Sequence, residues 1–159
     1  MNTEGEISDK VNAMDDMPAS PPKFPVLTGI TAGLWLLHGV IHAVLMLIAF
    51  FENRTGEAFK GSVQCCLPVS SLFMVAGLLA ITGHLQWKFP LEMLAALIGL
   101  GEVFLSMALL MSLPAAIGGA WFVAALSLFF GGIFSLYDID AYDRWILARE
   151  RWQREHDDE

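Results

Sequence analysis

The sequence predicts an all-α integral membrane protein. The expected fold is a four-helix transmembrane bundle with both termini cytoplasmic, followed by a C-terminal amphipathic cytoplasmic helix. Three observations predict it. Hydrophobic residues make up 55% of the 159-residue chain and charged residues only 16%, too few to cover a water-soluble surface. Charge is confined almost wholly to the two ends and two connections. The rest falls into four apolar runs, each long enough to cross about 30 Å of hydrocarbon at about 1.5 Å per residue. Open strands cannot satisfy their backbone in lipid, so each run reads as a helix.

Residues 1–24 are acidic, then rich in proline (Pro18, Pro21, Pro22), and are expected to form a disordered tail. Glu4, Glu6, Asp9, Asp15 and Asp16 outweigh Lys10 and Lys23 there, whereas a cleaved signal peptide starts basic and has a shorter apolar core. The bundle is expected over 25–137, with spans at about 26–51, 67–85, 91–113 and 115–137. Pro68 suits the first turn of the second span, where its missing N–H costs nothing. Pro90 precedes the third span and Pro114 marks the turn into the fourth. That last connection is short and uncharged, so spans three and four should form an antiparallel hairpin.

Orientation follows from lysine and arginine. Four crossings put Lys10, Lys23, Lys88, Arg144, Arg149, Arg151 and Arg154 on one side, against Arg54 and Lys60 on the other. Both ends are therefore expected in the cytoplasm, with Trp87 and Trp121 near opposite interfaces. Residues 138–159 form a charged juxtamembrane helix and tail, supported by Asp140–Arg144, Glu150–Arg154 and Arg151–Glu155 four residues apart. Tyr142, Trp145, Ile146 and Trp152 share a face suited to the membrane surface or a partner.

Several classes drop out. The net charge of −8 belongs mainly to the tails and offers no basic patch for nucleic acid. Adjacent Cys65 and Cys66 fit neither a redox motif nor a zinc spacing and read as free or lipid-bearing thiols. Asn53-Arg54-Thr55 matches a glycosylation acceptor but lies too close to the first span for modification. No phosphate loop, nucleophile elbow or metalloprotease motif occurs. No cofactor is expected, and a haem between His42 and His84 ranks below the other readings because His84 lies at the far end of its span.

The candidate site starts in the first span. Thr31, Trp35, His38 and His42 are spaced four, three and four, so a helix sets them on one stripe. His38 lies about twelve residues into run one and Glu102 about eleven into run three, which cross in the same direction. Both should reach one level, and an isolated carboxylate there costs roughly 2.5–3.5 kcal/mol on insertion scales. The expected polar layer is His38, Glu102 and Ser127, with His42 and Ser106 about one turn away. Small residues should let helices close around it: Gly29 and Gly33, Ala95 and Gly99, and Gly131 and Ser135.

Three functions compete for this layer. The favoured one is a non-catalytic accessory or assembly subunit, its partners being the bilayer, other membrane subunits or copies of itself. Glu102 would then accept from His38 and serine hydroxyls and fix helix register. The first alternative is a small proton, ion or metal transporter or channel, because intramembrane ionisable groups mark pathways and histidine titrates near neutrality. The second is a metal-dependent membrane enzyme using His38, His42 and Glu102, since two imidazoles four residues apart and one carboxylate form a ligand set.

Overall fold

A computed structural model describes residues 20–51, 57–85, 88–111 and 113–157. Its elements are α1 (Val26–Phe51), α2 (Glu57–Thr82), α3 (Lys88–Leu110) and α4 (Ala115–Asp157), and no strand occurs among the described residues. All four helices are long and apolar enough to cross a membrane. The glycosylation motif at 53–55 and Trp87 lie outside the described residues.

Helix α1 shows how pattern becomes burial. Thr28, Thr31, Ala32, Trp35, His38, Gly39, His42, Leu45 and Ala49 recur at three- and four-residue steps and all turn inward. Val26, Ile30, Leu37, Val40, Val44, Leu47, Phe50 and Phe51 face out. The outside of this helix is therefore greasier than its inside, the reverse of a helix covering a water-soluble core.

Several boundaries differ from the sequence expectation. Helix α3 spans Lys88–Leu110 rather than about 91–113, so Pro90 falls within its first turn instead of preceding it, where its missing N–H costs nothing. Helix α2 begins at Glu57 rather than near residue 67, so Pro68 lies inside it and leaves the Gln64 carbonyl without its intrahelical donor. Helix α4 runs unbroken for 43 residues, so the fourth span and the charged segment after it are one element. Nothing between Ser135 and Asp143 is a helix breaker. Other ends follow local chemistry. Gly83 adopts a left-handed φ of 73°. Its N–H bonds the Ala80 carbonyl at 3.2 Å, while that of His84 reaches back to Leu79 at 2.9 Å, closing α2. Pro114 opens α4 and accepts from the N–H groups of Ile117 and Gly118 at 2.9 and 3.0 Å.

The chain divides into a unit of residues 24–142 and a smaller one joining 1–23 to 143–159. Within the larger unit, small residues decide which helices touch. A Cβ on Gly99 would strike the backbone at Phe129, and one on Gly132 the backbone at Ala96, so α3 and α4 meet main chain to main chain. A Cβ on Gly77 would come 3.0 Å from the Ala32 carbonyl, joining α2 to α1 in the same way. Gly131 makes room instead for the Trp35 indole. The buried Thr28 hydroxyl donates to the Asp138 carboxylate, and the Tyr142 hydroxyl to the Ala80 carbonyl at 3.4 Å. In the smaller unit the Trp145 indole N–H donates to the Pro22 carbonyl at 3.2 Å, with the Arg149 guanidinium 5.4 Å from the same ring.

Candidate polar site inside the bundle

Four helices deliver the site. Helix α1 contributes His38 and His42, α3 Glu102, α2 Ser70 and Cys66, and α4 the Ala124 carbonyl. Both imidazoles are fully buried and Glu102 is only 6% exposed. One donor atom from each of His38, His42 and Glu102 lies within 4.8 Å of the others.

The ring of His38 is contacted on both nitrogens. Its Nδ1 lies 3.0 Å from the Ala124 carbonyl oxygen and 3.7 Å from Glu102 Oε2. Its Nε2 lies 3.2 Å from Ser70 Oγ, and the Ser70 hydroxyl donates to the Cys66 carbonyl at 2.9 Å. A serine whose proton is committed elsewhere presents oxygen as an acceptor. Both nitrogens of His38 therefore face acceptors.

His42 is wired differently. Its Nδ1 lies 3.1 Å from the His38 carbonyl, and its Nε2 has no hydrogen-bond partner among the described residues. Its ring packs 4.4 Å from that of His38 and edge-on to Trp121 at 5.6 Å. Glu102 Oε2 also has no hydrogen-bond partner among the described residues, while the Cys66 thiol hydrogen-bonds the same carboxyl group. Each unsatisfied buried polar atom costs roughly 1–3 kcal/mol.

The other sequence-derived residues have local roles. Ser106 and Ser127 are buried, but their hydroxyls donate to Val103 and Val123 carbonyls of their own helices, at 2.7 and 2.8 Å. Neither reaches Glu102, because a helical serine finds a carbonyl three or four residues back. Ser135 likewise donates to the Gly132 carbonyl at 3.2 Å. Ala95 is fully buried, a Cβ on Gly29 would meet the Phe24 ring at 3.4 Å, and one on Gly33 would meet nothing within 4 Å. Tyr142 is fully buried with its hydroxyl on Ala80, so it leaves the expected partner face to the partly buried Trp145, Ile146 and Trp152. Trp121 is fully buried beside His42 and not at an exposed rim.

The chain matches no protein-family model, no curated protein and no solved structure.

Ser70 and Cys66 are the site residues that the sequence reading passed over. Their four-residue spacing puts them on one face of a helix, a usable signal once α2 is extended back to Glu57. The Ala124 carbonyl carries no signal, since every residue has one.

Proposed function

We propose that this is a small multi-pass membrane protein that handles protons through its interior, with His38 and Glu102 holding the proton and His42 receiving it. The wiring of His38 carries this reading. An imidazolium needs an acceptor at each nitrogen and a nearby negative charge; Ala124, Ser70 and Glu102 supply them at 3.0, 3.2 and 3.7 Å. His42 Nε2, with its neighbour nitrogen committed to the His38 carbonyl, is the next lone pair available to accept a proton. A network that only fixed register would be fully satisfied, because a half-satisfied buried network is worse than an apolar core.

The test is proton flux into liposomes holding the purified full-length chain and a pH-sensitive dye, driven by a potassium diffusion potential. Wild-type protein should acidify or alkalinise the lumen according to the sign of the potential. Glu102→Gln should slow this by about 100-fold or more, the scale of a lost proton-transfer group. Flux no faster than in protein-free liposomes overturns the reading.

A non-catalytic assembly subunit is the second reading, favoured by Gly33, which sits exposed on α1 with open space where another helix could approach. Native mass measurement in mild detergent separates the two. A chain that travels alone and carries flux excludes the subunit role.

A further inference from the structure

We infer that the same cluster binds one first-row divalent transition-metal ion, which enters in exchange for a proton. This inference rests on the reading of the cluster as a cation site and names a second cation for it.

The donor set and its spacing point there. His42 Nε2 is a buried lone pair with no partner among the described residues, and Glu102 Oε2 is a buried oxygen in the same state. One ligand atom from each of His38, His42 and Glu102 lies within 4.8 Å of the others, and the His38 Nδ1–Glu102 Oε2 separation is already 3.7 Å. Bonds of about 2.0–2.1 Å in a tetrahedral site set donors about 3.3 Å apart. Side-chain shifts within one rotamer well close that gap.

The outer contacts select the ligating nitrogens. The His42 Nδ1–H is held by the His38 carbonyl, which leaves the buried Nε2 lone pair as the nitrogen available for ligation. Ser70 gives His38 Nε2–H an acceptor, so the ligating nitrogen is Nδ1, which lies 3.7 Å from Glu102 Oε2 and would exchange its 3.0 Å contact with the Ala124 carbonyl for the ion. The ion displaces the single proton carried by the His38–Glu102 pair: that pair plus M²⁺ becomes the three-ligand complex plus one released H⁺, with no oxidant or reductant involved. Two imidazoles and one carboxylate suit zinc, cobalt or iron(II), whereas magnesium and calcium prefer all-oxygen shells.

Full-length protein, stripped with chelator and held in detergent, is titrated with Co²⁺ and followed by visible absorption, with proton release read by an indicator in weak buffer. The expected result is one saturating equivalent per chain, about one proton released per ion, and displacement by Zn²⁺ but not by Mg²⁺. His42→Gln and Glu102→Gln should each weaken binding by more than about 100-fold, while Cys65→Ser, at an exposed thiol outside the cluster, binds normally. Size exclusion and far-ultraviolet circular dichroism show which variants are folded; if both ligand variants misfold, the wild-type stoichiometry and proton count still decide. No saturable Co²⁺ binding, or binding indifferent to both ligand variants when folded, overturns the inference. Proton flux in metal-free liposomes without Co²⁺ binding removes the metal and leaves the proton reading standing. Neither flux nor binding removes both.

Discussion

The Nδ1 of His42 lies 3.1 Å from the carbonyl oxygen of His38, one turn back along the same helix. This contact fixes the tautomer without help from another helix. The carbonyl can only accept, so Nδ1 carries the proton and Nε2 is the free base. A glutamine here could keep a donor but lose the ring and its Nε2 lone pair. His42→Gln is therefore expected to stop passage of the proton beyond His38, with flux reduced by about 100-fold and the helical content unchanged. Flux at wild-type rate would remove His42 from the route.

Ser70 touches His38 from α2, opposite Glu102. Removing its hydroxyl leaves His38 Nε2 without that acceptor. Ser70→Ala should weaken cobalt binding by about 10–100-fold, the range for a group that orients a ligand, without changing the stoichiometry. An unchanged titration would show that the serine does no more than fill space.

Gly99 and Gly132 bring α3 and α4 into main-chain contact. Gly132→Leu has nowhere to put its side chain, since the obstacle is the backbone at Ala96 rather than a flexible side chain. Overpacking of this kind costs about 1–3 kcal/mol, more when the backbone must move. A lowered midpoint in thermal aggregation in detergent checks it. Gly33→Leu, whose Cβ meets nothing within 4 Å, should leave that midpoint within error.

Thr28 donates to Asp138 with both residues buried. Thr28→Val keeps the shape and removes the donor, leaving the carboxylate less well satisfied. A loss of about 1.5–3 kcal/mol is expected, and Thr28→Ser should recover most of it. Reversible unfolding in mixed micelles measures both. Equal stability of the valine and serine variants would show that the hydroxyl contributes nothing.

Gly83 closes α2 with a φ of 73°. Gly83→Ala forces a side chain into the left-handed region at about 1–2 kcal/mol. Earlier exchange of amide hydrogens over the last turn of α2 than in wild type is the expected sign.

The helices and the two ends of the site were legible in the sequence for different reasons. Apolar runs declare spans whatever their neighbours, which is why α1 falls at the expected residues while α2, with charged residues in its first turns, starts ten residues early. Counting depth along parallel helices put His38 and Glu102 at one level, and in the structure they lie 3.7 Å apart. Depth gives no rotation about the helix axis, however. Ser106 and Ser127 share the right depth and still bond their own helices, because a helical hydroxyl has a carbonyl acceptor within reach in every turn. Trp121 and Tyr142 look like interfacial rings by type, yet both are fully buried, Tyr142 with a carbonyl in reach and Trp121 against His42.

The glycine contacts described for the larger unit have a mechanical consequence. They weld the chain into two pairs, α1 with α2 through Gly77, and α3 with α4 through Gly99 and Gly132. Between the pairs the described ties run through side chains: Trp35 on Gly131, Thr28 on Asp138, Tyr142 on Ala80. His38 straddles that seam, with Nε2 on its own pair and Nδ1 reaching across to Ala124 and Glu102. Displacement of one pair relative to the other would therefore change the separations of His38 from Ala124 and Glu102 while leaving the glycine contacts within each pair in place.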